Sequence, residues 1–310
     1  MSDYLIMNPL NFPILTTTIF IPLAGAILLL LMRSDKIVKG IAFTTGIINF
    51  LISLLLLVYF DSSTHLFQFG EFARWIPTYN INYILGIDGI TIFLILLTTI
   101  LAPMCVLCSW TAIESRVKEF MFCILVMESA MVGVFCALDL ILFYIFWEAM
   151  LIPMYLLIAV WGGPNKDYAS VKFFIYTLFG SVFLLVAIIG IYLATGSFNI
   201  PNAMFRDYSF NFQFWVFLAF AIAFAIKVPM FPFHTWLPAA HTEAPTAGSV
   251  FLASVLLKMG TYGFMRVLMP MLPVQFQQYW FLIAILAVVA IIYGASVSYT
   301  HLTLPTIYYV

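Results

Sequence analysis

Long apolar runs recur along the whole chain and are separated by short polar stretches. A helix that crosses a bilayer needs ~20 consecutive, mostly apolar residues, because each residue adds only ~1.5 Å of length. By this criterion the pattern predicts about nine membrane-spanning helices. The predicted spans are residues 13–32, 38–60, 84–108, 117–136, 138–159, 170–194, 212–232, 246–268 and 277–297.

Two of these runs are almost continuous. Only the region around Asp139 separates residues 117–136 from residues 138–159, so the pattern predicts a tight helical hairpin. The fold class predicted from the pattern is therefore all-α, a polytopic transmembrane helical bundle.

The composition supports a membrane protein. The 310-residue chain is 65% hydrophobic and 8% charged, whereas soluble domains contain roughly 25% charged residues. A soluble protein of this size has too little interior to enclose that much apolar surface, so the lipid bilayer is the expected environment. The net charge is −1, which gives no electrostatic basis for binding nucleic acid.

Basic residues in the short loops predict the orientation, because lysine and arginine favour the cytoplasmic side. A periplasmic N-terminus leaves fewer basic residues outside, and we therefore predict it. It places these residues inside: Arg33, Lys36, Lys39, Arg116, Lys118, Lys166 and Lys172. It places these residues outside: Arg74, Arg206 and Arg266.

Three charged side chains lie inside predicted spans, namely Glu148, Lys227 and Lys258. A charge at the bilayer centre costs about 2.5–3.5 kcal/mol even on lenient insertion scales. Packing or a hydrogen bond to a neighbouring helix would explain each of them singly. Charges of both signs in one chain favour a proton relay, with Glu148 and Lys227 as a switchable pair.

Prolines interrupt the seventh span directly after Lys227, at Pro229, Pro232 and Pro238. Proline lacks a backbone donor and clashes with the preceding turn, so the helix must break or kink here. His234 and His241 follow and would share a face if this stretch were helical. They are possible relay groups, although interfacial histidines are common.

Other polar residues in the spans have weaker interpretations. Glu128 is either a second buried carboxyl in the relay or a polar contact between helices, while Asp88 and Asp139 resemble helix caps. A metal site is disfavoured because Glu243 is the only ligand of suitable type near the two histidines.

No cofactor is expected in this chain. A dinucleotide fingerprint, a phosphate-binding loop and a cysteine cluster for iron–sulfur centres are all missing from the sequence. The four cysteines are interpreted as small apolar residues within spans.

Several long stretches resemble one known family. They are LGIDGITIF (85–93), ALDLILFYIFWEAMLIPMYLLIAVWGG (138–163), VKFFIYTLFGS (171–181) and KVPMFPFHTWLPAAHTEAPTAGSVFLASVLLKMGTYGFMR (227–266). The chain resembles, over residues 1–296, the M-type antiporter-like membrane subunits of bacterial respiratory complex I, the proton-translocating NADH:quinone oxidoreductase. Mitochondrial subunit 4 is the counterpart.

The resemblance implies a fold and a division of labour. Family members have two inverted five-helix repeats, spans 4–8 and 9–13, with a broken span 7. Glu148 would pair with Lys227, and Lys258 would link to the second half. The subunit would bind no redox cofactor, because partner subunits hold NADH, FMN, the iron–sulfur clusters and quinone. Its partners would be other membrane subunits of complex I in a bacterial inner membrane.

The resemblance also predicts the domain organisation. Residues 1–110 form an N-terminal three-span region, 111–270 the one complete five-helix repeat and 271–297 the start of a second repeat. Residues 298–310 match nothing in the family and are predicted to be a non-native tail on a C-terminally truncated chain.

Two alternatives stay open. The large subunit of a multi-subunit cation/proton antiporter or of a membrane-bound hydrogenase shares the lysines and the glutamate, although residues 148–163 favour the M type. A structural scaffold without transport is the other alternative.

Overall fold

The computed structural model of the chain describes residues 4–10, 12–204 and 206–307, which are mostly helical. The helices are α1 (Ile14–Leu30), α2 (Asp35–Val58), α3 (Gly89–Cys108), α4 (Val117–Cys136), α5 (Leu140–Ala149), α6 (Leu151–Trp161), α7 (Lys166–Thr195), α8 (Ile200–Met204), α9 (Phe210–Lys227), α10 (Trp236–Glu243), α11 (Thr246–Phe251), α12 (Leu257–Gly263), α13 (Met269–Met271) and α14 (Pro273–Ile307). Two π-helical segments, Leu252–Leu256 and Phe264–Leu268, join α11 to α12 and α12 to α13.

Within the described residues, 8 helical stretches are long and apolar enough to cross a membrane, and α1 is a shorter apolar helix of 17 residues. Together they match the predicted spans, so the prediction of a polytopic helical bundle is confirmed. The predicted hairpin of spans 4 and 5 is also confirmed, because only residues 137–139 separate α4 from α5. The predicted tail falls partly within α14, while residues 308–310 lie outside the described residues.

A small sheet at one end of the bundle was not predicted. Strand β1 (Leu5–Met7) pairs in parallel with β2 (Phe67–Ile76), which pairs antiparallel with β3 (Ile81–Ile87). A turn of 3₁₀ helix ends at Asn80, whose φ of 56° is left-handed and suits a chain reversal. The third span consequently begins at Gly89 instead of residue 84.

The sheet connects several helix ends. Glu71 of β2 accepts hydrogen bonds from the backbone N–H groups of Leu15 and Thr16, in the first turn of α1. A carboxylate stabilises a helix there because it satisfies free N–H groups and opposes the helix dipole. The Leu138 N–H, at the turn between α4 and α5, donates to the Ile84 carbonyl of β3 at 2.9 Å.

Loops at the opposite end are also tied together. The Lys39 ammonium donates to the Trp110 carbonyl at 2.6 Å, and the Trp161 indole donates to the Ser115 carbonyl at 2.8 Å. The Gly163 N–H donates to the Glu243 carbonyl at 2.9 Å. The connections that carry most of the loop lysines therefore share one end of the bundle, and the sheet occupies the other end.

Helix α4 lies at the centre of the bundle. In its most apolar window 83% of the residues are buried, whereas none is buried in the corresponding window of α14. Helices α5 and α6 pack directly on α4, and the Tyr262 hydroxyl of α12 donates to the Phe135 carbonyl of α4 at 3.0 Å.

Candidate functional site

The break in span 7 begins directly after Lys227, where α9 ends. Pro229 has no N–H to continue the helical ladder, so the last carbonyls of α9 need other donors. The Met230 N–H donates to the Ala225 carbonyl, and the buried Trp236 indole, from across the break, donates to the Ile226 carbonyl, both at 2.9 Å. The break is therefore an ordered structure that fixes the end of α9, as the prolines predicted.

The Lys227 side chain lies at the end of α9 and has only weak interaction partners there. Its side chain is 4% exposed, and its position in the last turn of α9 suits a cation because the helix dipole is negative there. The ammonium Nζ lies 5.1 Å from the centroid of the Trp147 ring and 3.8 Å from Sδ of Met150. Neither partner neutralises the positive charge, although the aromatic face attracts it.

Glu148 lies at a second helix break, one residue before α5 ends. Pro153 cannot donate to the Ala149 carbonyl, and the regular helix is interrupted at Met150 before α6 begins. The half-buried Glu148 carboxyl lies near Ser181 of α7, whose hydroxyl donates to the Leu178 carbonyl at 2.8 Å, and it interacts electrostatically with Lys227.

The structure brings Glu148 and Lys227 into one region without direct contact. Among the described residues, the single ion pair joins Arg266 and Asp88, so Glu148 and Lys227 are not in salt-bridge contact. The expected pairing of Glu148 with Lys227 stays a prediction. The region therefore holds one acidic and one basic side chain, each at a helix break, and each can take up and release a proton.

Close helix packing places the neighbouring helices around this region. A Cβ at Gly180 of α7 would lie 3.1 Å from the Ile226 side chain, and a Cβ at Gly260 of α12 would lie 3.2 Å from the Lys227 Cβ. Glycine at these positions lets α7 and α12 approach the end of α9 closely.

Lys258 lies in span 8, directly after the first π-helical segment. Its Nζ donates to the Ala253 carbonyl at 2.5 Å, and its side chain is exposed on the part of the chain described here. Both π-helical segments were missed from sequence, which predicted an ordinary span. Such segments change which carbonyls are free to accept side-chain donors, and they frequently occur at functional sites.

The two histidines line one cavity but do not share a helix face. His234 precedes α10, whereas His241 lies within it, so the condition for a shared face is not met. Both border a cavity of about 630 Å³ between the break and α14. His234 stacks on Phe231 and meets the Tyr293 ring edge-on at 4.9 Å.

Glu128 is separate from this region. It is fully buried on α4 and accepts a hydrogen bond of 2.7 Å from Asn49 of α2. The structure therefore places it in a polar contact between helices, beside the N-terminal spans.

At the sheet end, Asp88 and Asp139 cap helices as predicted. Asp88 accepts from the Thr91 N–H, and Asp139 accepts from the Ile141 and Leu142 N–H groups. Asp88 also pairs with Arg266, which lies over the Phe67 ring; this ion pair was missed because the two residues are distant in sequence.

No metal-binding group was found in the described part of the chain: no three His, Cys, Asp or Glu side chains cluster suitably there. The four cysteines are free thiols.

Comparison with known families shows which family the chain belongs to. The family model described as "NADH:quinone oxidoreductase/Mrp antiporter, TM" matches residues 137–304. The model described as "NADH-ubiquinone oxidoreductase chain 4, amino terminus" matches residues 17–134. The chain belongs to the NADH:quinone oxidoreductase/Mrp antiporter family. Curated relatives from Rickettsia typhi and Chondrus crispus are named subunit M and chain 4, in agreement with the predicted M type.

One such relative is the NADH-quinone oxidoreductase subunit M of Rickettsia typhi, which is 43% identical over 299 residues. The alignment covers 93% of this chain and 60% of the relative. The chain therefore spans about three fifths of the length of the curated relatives it matches.

Solved structures of the family have the same fold. A chain of respiratory complex I from Thermus thermophilus aligns with a TM-score of 0.82 and 31% identity, over 92% of this chain and 59% of that one. A chain of the Mrp complex from a Dietzia species aligns with a TM-score of 0.70 and 18% identity, over 82% of this chain and 27% of that one. The second likeness concerns the fold alone.

Proposed function

We propose that the chain is a proton-translocating membrane subunit of an NADH:quinone oxidoreductase. It moves protons through a relay of Glu148, Lys227 and Lys258, driven by quinone reduction elsewhere in the complex. The observation that supports this proposal is that Glu148 and Lys227 each lie at a helix break and are close enough to interact electrostatically. Backbone without regular helical bonding is tolerated at membrane depth only where it is buried in protein or lines a water-filled cavity.

The pair would work as a switch. A carboxylate near Lys227 stabilises its ammonium form, and burial among Trp147 and Met150 opposes that form. When Glu148 is close and ionised, Lys227 holds its proton. When Glu148 moves away or takes up a proton, the ammonium loses its counter-charge and Lys227 releases its own proton.

Lys258 and the histidines would extend the path. Gly260, two residues after Lys258, packs against the break in span 7, so the two lysines lie on adjoining elements. Lys258 would pass the proton towards the second half that relatives possess. His234 and His241 would exchange protons with water in the cavity beside the break, because an imidazole can both accept and donate a proton.

The remaining partners follow from the same proposal. NADH, FMN, iron–sulfur clusters and quinone would be bound by partner subunits, and the chain would contact other membrane subunits of complex I. It would lie in a bacterial inner membrane with its N-terminus in the periplasm, because the end of the bundle opposite the sheet carries most of the loop lysines and arginines.

Alanine variants in the assembled complex test the proposal. Glu148→Ala and Lys227→Ala should each abolish or sharply reduce proton pumping in membrane vesicles. NADH oxidation by an artificial acceptor should persist, because that acceptor is reduced at centres in other subunits. If both assembled variants pump normally, the chain is a scaffold. If pumping requires sodium ions, the result favours the alternative that the chain is a cation/proton antiporter subunit.

A further inference from the structure

A buried contact between Glu128 and Asn49 lies outside the proposed relay. Both side chains are fully buried, one on α4 and the other on α2. The Nδ2 group of Asn49 donates to Oε1 of Glu128 at 2.7 Å. The contact therefore joins the N-terminal spans to the first helix of the proposed five-helix repeat.

The remaining polar atoms of the two side chains complement each other. Oε2 of Glu128 and Oδ1 of Asn49 are buried and have no hydrogen-bond partner. Both are acceptors while Glu128 is ionised, so they cannot bond to each other. A proton on Oε2 turns that atom into a donor. A neutral acid facing a primary amide can then form a ring of two hydrogen bonds, which satisfies both atoms.

The charges around Glu128 also favour the neutral acid. No cation contacts it, since the single ion pair within the described residues is that of Arg266 and Asp88. The titratable neighbour on α3 is Cys105, a buried thiol that supplies no positive charge to a carboxylate. Helix α1, which packs on α4, carries no charged residue. A fully buried carboxylate without a counter-ion is strongly disfavoured and takes up a proton instead.

We infer that Glu128 holds a proton as a neutral acid paired with Asn49, and that this proton fastens α2 to α4 and is not transported. Glu128 therefore differs from Glu148, which is half-buried and interacts with both Ser181 and Lys227. The inference rests on the proposed function only where proton pumping is measured.

Infrared spectroscopy of the assembled complex tests the protonation state directly. At neutral pH, the difference between the unmodified complex and Glu128→Gln should contain the C=O stretching band of a protonated carboxylic acid, and this band should shift in D₂O. Carboxylate bands in its place would overturn the inference. This result does not depend on whether the complex pumps protons.

Two variants test the pairing. In Glu128→Gln the new amide can still accept from Nδ2 of Asn49 and donate to its Oδ1, so the heat-inactivation temperature and pumping should both stay unchanged. Asn49→Leu removes both bonds at similar volume and should lower the heat-inactivation temperature. An equal loss of stability in the two variants would contradict the pairing. Loss of pumping in assembled Glu128→Gln would mean that Glu128 transfers protons, while the function proposed for the chain would stand.

Discussion

At the residue scale, Lys227 combines deep burial with incomplete neutralisation. Its ammonium faces an aromatic ring and a thioether sulfur, with Glu148 acting at longer range. Cation–π contacts contribute roughly 2 kcal/mol when desolvated, less than the cost of burying an unpaired charge. This imbalance favours loss of the proton, which is the property that the proposed role of Lys227 as a proton carrier requires.

The variant Lys227→Arg distinguishes the effect of the positive charge at this position from the effect of proton release. Arginine keeps the positive charge and can contact Trp147, so the complex should assemble. Pumping should fall sharply, because the guanidinium keeps its proton in the accessible pH range. Proton uptake by vesicles, measured alongside NADH oxidation by an artificial acceptor, checks this. Unimpaired pumping by Lys227→Arg would mean that only the charge of this side chain matters.

Sequence reasoning found the charged residues of the site but not their neighbours. Glu148, Lys227 and Lys258 stand out because each interrupts an apolar run. Their partners Trp147 and Ser181 carry no such signal, since aromatic and hydroxyl residues occur throughout membrane helices. Which of them contacts a charge depends on packing between helices that are distant in sequence.

At the element scale, side-chain caps determine where helices begin, and glycines allow neighbouring helices to pack closely. Asp139 caps α5, the helix that carries Glu148, and also accepts from the Asn82 N–H of β3. The cap therefore connects the sheet to the relay helix.

Asp139→Ala should destabilise the protein by about 1–2 kcal/mol, because two N–H groups of α5 lose their acceptor. Asp139→Asn keeps a good capping group and should cost much less. Thermal unfolding of both variants checks this prediction. If the alanine variant is as stable as the unmodified protein, the cap contributes nothing.

Gly260→Ala tests the close packing of α12 on the break. Its Cβ would lie 2.6 Å from a methyl group of Val228 and 3.0 Å from the Val228 backbone nitrogen, which cannot move independently of the break. We expect a loss of about 1–3 kcal/mol, typical of overpacking.

Gly40→Ala is the matched control. It lies in α2 with nothing within 4 Å of an added Cβ, and replacing a helical glycine should stabilise by roughly 0.5–1 kcal/mol. Thermal unfolding compares the two alanine variants. If Gly260→Ala is as stable as Gly40→Ala, the contact between α12 and the break is loose.

The break in span 7 was predictable from sequence, whereas the π-helical segments and the sheet were not. Pro229 and its neighbouring prolines act locally on the backbone, so their effect can be read directly from the chain. A π-helical segment extends each backbone hydrogen bond by one residue relative to an α-helix, and no residue pattern in span 8 marks where this happens. The strands at residues 67–87 lack a regular alternation of buried and exposed residues, because the buried residues of β2 and of β3 each form one continuous run.

At the scale of the whole molecule, the bundle has two chemically different ends. One end carries the sheet and the pair of Asp88 and Arg266, and the other carries most of the loop lysines. Hydropathy predicted the spans well because an apolar run of sufficient length has few alternatives in a bilayer. The division at residues 110 and 270 stays a prediction.

Cysteine labelling tests the orientation. In a background without the exposed Cys108, Ser63→Cys at the sheet end should react with an impermeant maleimide added to intact cells. Ser34→Cys at the other end should react only after permeabilisation, since both positions are exposed in the chain. The reverse pattern, or labelling of residues 160–171 from outside, would overturn the periplasmic N-terminus.

The most direct test of the account is the number of protons pumped per NADH oxidised in assembled Glu148→Gln complex, with Glu128→Gln as the matched control. Both changes replace a membrane glutamate by an isosteric neutral amide. Glu148→Gln should lower the ratio sharply, because its side chain can no longer take up and release a proton, while Glu128→Gln should leave the ratio unchanged. An unchanged ratio in Glu148→Gln would contradict the proposed relay.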